Sequence, residues 1–95
     1  MADGLHFVST YGAFSVGATA TLISAANPQR KGLMIFNNSS STLYIGMDSN
    51  VTTSTGYPIL QNVTFATDDL AGVWKGNIYG ISGGIVDARF WEFGE

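Results

Sequence analysis

Leu33-Met34-Ile35-Phe36-Asn37, then Asn38-Ser39-Ser40-Ser41, then Thr42-Leu43-Tyr44-Ile45-Gly46-Met47 is the stretch on which the fold class turns. Its first five residues are short and apolar at both parities, the mark of a strand buried on both sides. Four small polar residues follow, and that is turn chemistry. The second apolar run then returns as a partner strand, so residues 33–47 are predicted to form a β-hairpin.

Working outward, the same grammar repeats. Ala18-Thr19-Ala20-Thr21-Leu22-Ile23 alternates with period two, as a half-buried strand does, and stops at the turn initiator Asn27-Pro28. Residues 48–58 read as a polar connection ending in Gly-x-Pro, able to lie extended along a sheet edge for part of its length. Asn62-Val63-Thr64-Phe65-Ala66 alternates again and is stopped by Asp68-Asp69, with loop or one short turn through Trp74. Residues 77–82 form a strand, Gly83-Gly84 a tight hairpin turn, and residues 85–93 the last strand. There Val86, Ala88 and Phe90 share the face expected inside, while Asp87, Arg89 and Trp91 share the other. Near the N-terminus Leu5, Phe7 and Val8 fit a strand, Tyr11-Gly12-Ala13-Phe14 reads as loop, and residues 1–17 are a candidate arm reaching a neighbouring subunit. Six or seven short strands and no helical period predict a single all-β domain over residues 1–95. The expected form is a small antiparallel β-sandwich or barrel, jelly-roll-like, with an N-terminal arm.

Composition narrows the function classes. The chain has 95 residues and 12% charged side chains, where about 25% is usual. Hydrophobic residues at 45% and aromatics at 13% exclude disorder. A net charge of −3 and a pI near 4.7 argue against nucleic acid as a partner, because phosphate binding needs a basic face. No cysteine is present, so disulfides and thiol chemistry are excluded. No run is long and apolar enough for a helical membrane span. The first residues lack the basic and apolar regions of a signal peptide, so synthesis in the cytoplasm without a leader is the expectation. Residues 4–29 hold only His6 as a group titrating near neutrality, and residues 49–67 hold no charge at all. Such a surface is either a neutral, Thr-rich exposed sheet or one covered by other protein, since interface cores are depleted in charge.

Catalytic chemistry finds little to work with. His6 has no second His or Cys to complete a metal site. Asp68 and Asp69, as strand neighbours, point to opposite faces and read as an acidic turn cap rather than an acid/base pair. Asp48-Ser49-Asn50 begins like a calcium loop but lacks its later glycine and glutamate. Gly80-x-x-Gly83-Gly84 precedes no helix and so cannot be a dinucleotide loop. No serine sits in a nucleophile elbow. The Asn-x-Ser/Thr patterns at Asn37, Asn38, Asn50 and Asn62 have no function without a secretory route. No catalytic residue, cofactor or metal is therefore expected. The aromatics Tyr11, Tyr44, Tyr57, Tyr79, Trp74 and Trp91 could build a sugar-stacking platform, or core and interface; Trp91, on the polar face of the last strand, is the best interface anchor. Arg30-Lys31, a compact basic pair in an acidic chain, reads either as a wet turn or as a docking point for a carboxylate cluster.

With these residues in hand, Asn27-Pro28-Gln29-Arg30-Lys31-Gly32-Leu33-Met34-Ile35-Phe36-Asn37-Asn38 resembles an "N-P-x-R-K-x-L-x-I-x-N" opening of small β proteins in tailed-phage virions. Leu43-Tyr44-Ile45-Gly46-Met47-Asp48, residues 51–60 and the final hairpin up to Arg89 follow in similar order, so the resemblance covers residues 27–90. It implies a virion structural protein, a capsid decoration (cement) protein that binds the outer capsid surface and stabilises the head. Its implied partners are the major capsid protein, further copies of itself, or both, with a trimer the favoured homo-oligomer. A head-fibre or tail-associated module binding host glycans is the alternative. Arg30, Lys31, Tyr57, Trp74 and Trp91 are the candidate protein-interface residues.

Overall fold

A computed structural model of the protein describes residues 8–68 and 72–94. Among them eight strands form: β1 (Val8–Val16), β2 (Thr21–Ser24), β3 (Arg30–Asn37), β4 (Leu43–Gly46), β5 (Tyr57–Ile59), β6 (Thr64–Asp68), β7 (Ile78–Ile81) and β8 (Val86–Gly94). They build two antiparallel sheets, β1-β8-β3-β6 and β2-β7-β4-β5. β1 lies beside β8, β2 beside β7, β3 beside β6 and β4 beside β5, as in one long antiparallel ribbon. Rolling that ribbon up adds the pairs β3 with β8 and β4 with β7. The result is a β-sandwich with jelly-roll strand order, not a closed barrel.

The expected hairpin over residues 33–47 is not one. β3 and β4 belong to different sheets, so residues 38–42 cross the end of the sandwich. Leu33 and Ile35 face Leu43 and Ile45 within one core cluster, each 6% exposed or less. Alternation fixes which face of a strand is buried; it does not say whether the partner lies beside it or across the core. Met34 and Phe36 are only half-buried, so β3 is covered fully on one face, not two. The crossing is pinned by Asn37, whose buried Nδ2 donates to the carbonyls of Ser41 (2.7 Å) and Ile59 (2.9 Å). The Gly83-Gly84 hairpin fails likewise, since β7 and β8 lie in opposite sheets. Ser82 holds that corner: its Oγ donates to the Thr42 carbonyl (2.8 Å) and its N–H to the Gly17 carbonyl (2.8 Å).

Residues 11–14 are strand, not loop. β1 pairs with β8 along its whole length, from Val8 opposite Gly94 to Val16 opposite Val86. Over residues 8–16 the chain is thus an integral edge strand of its own sheet rather than an arm. Phe14 points inward and stacks on Phe90 with ring centroids 5.7 Å apart. A Cβ on Gly12 would stand 3.0 Å from the Phe90 ring, so glycine is the residue that lets the ring lie there. Leu5, Phe7 and His6 lie outside the described residues, as does Asp69. Asp68 closes β6 instead of stopping the strand before it. In β8, Val86 and Ala88 are fully buried and Phe90 packs on the core, on the face expected.

Candidate functional site

Two features stand out: a buried charge cluster that fixes the sandwich, and an outer sheet face with an aromatic centre.

Arg30 is 0% exposed. A register shift between Arg30 and Gly32 along β8 marks a bulge at the start of β3, and a bulge reverses side-chain parity. Arg30 therefore sits among polar partners inside. Its Nε donates to Glu92 Oε1 (3.2 Å). One terminal nitrogen donates to the carbonyls of Trp74 (2.6 Å) and Gly76 (3.0 Å). The other donates to Ser24 Oγ (2.9 Å) and the Ala25 carbonyl (2.8 Å). All five guanidinium N–H groups are thus used. Glu92 also accepts from Ser24 Oγ (2.5 Å) and Asn27 Nδ2 (2.9 Å). Burial alone would push the Glu92 carboxyl up. The Ser24 and Asn27 hydrogen bonds and the Arg30 charge outweigh it and hold the carboxyl below its ordinary value. The cluster ties β2, β3, β8 and residues 74–76 together.

Outside the β1-β8-β3-β6 sheet, Tyr11, Trp91, Met34 and Ala66 stand opposite one another in a single row across all four strands. Tyr11 is 81% exposed and Trp91 45%. The next row along one side contains Ser9, Phe93, Gly32 and, at the end of β6, Asp68; along the other it contains Ala13, Arg89, Phe36 and Thr64. Arg89 is spent locally, because its Nε and terminal nitrogen donate to the two Asp87 oxygens (2.9 and 2.8 Å). That contact, with a further hydrogen bond from Asn38, holds the Asp87 carboxyl below its ordinary value. The centre of the face is therefore apolar and aromatic, and its charged residues, Asp68 and the paired Asp87 and Arg89, fall in the rows beyond it.

The predicted interface residues part company here. Trp91 lies at the centre of this face. Arg30 is withdrawn from the surface altogether, which corrects its reading as a docking cation: the bulge was invisible in the sequence. Lys31 is half-buried. Tyr57 and Trp74 are exposed at the rim of an apolar cleft of about 440 Å³ between the sheets, on the β5 and β6 side. Tyr57 rests edge-on against Phe65 (5.6 Å), and Trp74 Nε1 donates to the Asn77 carbonyl (2.8 Å). Tyr44 and Tyr79 stand on the opposite sheet, so the six aromatics weighed as one platform divide among three places. Asp48 forms a local turn in which Oδ1 accepts from Asn50 N–H (2.9 Å). Among the described residues no three His, Cys, Asp or Glu side chains gather as a metal site. Tyr11 was read as loop rather than strand because Gly12 interrupts the apolar alternation, so its place beside Trp91 was not foreseen.

No family model matches the chain, and no curated protein or solved structure matches it.

Proposed function

We propose that the protein is a non-catalytic virion structural module of the capsid-decoration type, which lays the aromatic centre of its outer sheet face against the outer surface of a phage head. The observation that carries this reading is the row Tyr11–Trp91–Met34–Ala66. A solvent-washed sheet ordinarily bears Lys and Glu at such positions, and interface centres are poor in charge and rich in aromatic residues and Met. The resemblance of residues 27–90 to small virion proteins supplies the partner, the major capsid protein. Four strands about 4.8 Å apart make a face of roughly 450 Å². That is the small end of a specific contact surface, so firm attachment calls for several copies acting together.

The test is addition of the purified protein to heads stripped of it. Saturable binding and a higher rupture temperature support cementing. No binding, together with saturable sugar binding by calorimetry at Tyr11 and Trp91, would replace the reading with glycan adhesion.

A further inference from the structure

We infer that two copies of the chain join edge to edge through β1, antiparallel about a two-fold axis at Gly12, merging their β1-β8-β3-β6 sheets into one of eight strands. The end strand of a sheet carries main-chain N–H and C=O groups with no ladder neighbour, and proteins shield such edges with short strands, proline, bulges or charge. Three of the four end strands here show one of these devices. β5 is three residues long and contains Pro58. β2 is four residues long with a register shift between Leu22 and Ser24. β6 is five residues long and ends in Asp68. β1 has none of them: Val8-Ser9-Thr10-Tyr11-Gly12-Ala13-Phe14-Ser15-Val16 is nine residues without charge or proline, and it pairs with β8 without a shift.

The occupant is a second copy because the strand is self-complementary. A two-fold axis normal to the sheet requires side chains opposite one another to share a face, and an axis at Gly12 is the register that engages all nine residues. Tyr11 then stands opposite Ala13 of the second copy, a large side chain over a small one, at both symmetry-related places. Ser9 stands opposite Ser15. The 81% exposed Tyr11 ring gains cover, and the row through Trp91 in one copy meets the row through Ala13 and Arg89 in the other. The edge is about 30 Å long and about 10 Å thick, roughly 300 Å² per copy. A standard interface takes about 800 Å² per partner. The dimer is accordingly a weak, concentration-dependent one, held chiefly by main-chain hydrogen bonds as in strand addition.

The test needs no shell, so its failure and that of the decoration reading are separable. Sedimentation velocity on the full chain at rising micromolar concentration should show monomer passing to dimer. Substituting Ser9→Lys with Ser15→Lys sets like charges directly opposite, twice per dimer, and should raise the dissociation constant roughly tenfold or more. Ser9→Glu with Ser15→Lys differs at one position and sets opposite charges there, so it should dimerise at least as tightly as the native chain. Circular dichroism establishes that both variants are folded. A nitroxide on Ala13→Cys, in a chain otherwise free of cysteine, should show dipolar broadening in the dimer. A native monomer, a trimer, equal behaviour of the two charge variants, or an unbroadened nitroxide spectrum would overturn the inference.

Discussion

Replacing Glu92 with alanine tests the frame on which the outer face is carried. The substitution leaves the Arg30 guanidinium in place, 0% exposed, with Nε facing nothing and its charge unanswered. Ser24 Oγ and Asn27 Nδ2 lose their acceptor as well. Breaking one side of a buried ion pair costs about 3–5 kcal/mol. A chain of this size has a total stability of about 5–14 kcal/mol, so the variant gives up a third or more of it in most of that range. At about 4–8 °C per kcal/mol for a domain of this length, the melting temperature should fall by at least about 12 °C. Thermal and urea unfolding followed by circular dichroism and tryptophan fluorescence measure it. The exposed Asp87–Arg89 pair is the control, and Arg89→Ala should leave the unfolding midpoint essentially unchanged. A Glu92→Ala loss below about 1 kcal/mol, or one equal to that of Arg89→Ala, would refute the role given to the buried cluster.

The same cluster sets a pH dependence. The Glu92 carboxyl is depressed in the folded protein, so its contribution is fully present above the unfolded carboxyl pKa, about 4.3. It is lost as pH falls through the lower folded value. Glu92→Gln should flatten stability across that acid window, and urea midpoints from neutral to strongly acid pH check it. Gly94→Ala would drive a Cβ into the Gln29 carbonyl, main chain against main chain. It should cost about 1–3 kcal/mol in chemical unfolding. Asn37→Leu keeps the volume near native but strands the Ser41 and Ile59 carbonyls. An equilibrium unfolding loss of about 1–3 kcal/mol is expected, whereas an unchanged midpoint would show that the crossing does not need this pin.

What the sequence made legible follows from what period-two alternation encodes. It reports which side chains of a strand turn inward, so Val86, Ala88 and Phe90 were readable, and with them the all-β class. It is silent on sheet membership. β3 with β4 and β7 with β8 each look like a hairpin, and each straddles the core. The pairing of Val16 with Val86 spans most of the chain and leaves no local trace. Parity carried one further signal: the inward series in β8 runs on to Glu92, a carboxylate at a core position that demands a buried partner. That partner, Arg30, was hidden by the bulge, and so a buried staple read as a surface cation. Trp91 was placed on the outer face from its own strand. The row it belongs to needed the register of β1, β3 and β6, which only the folded chain supplies.

Whether the outer sheet face docks on a shell is decided by cosedimentation of native protein and of Trp91→Asp with stripped phage heads. Trp91 is 45% exposed at the centre of the face, so the variant should fold with an unchanged circular dichroism spectrum. The native chain should pellet with the heads to saturation, and Trp91→Asp should stay in the supernatant. Equal pelleting of the two would contradict docking through this face, because a charge at the centre of the contact would then have cost nothing.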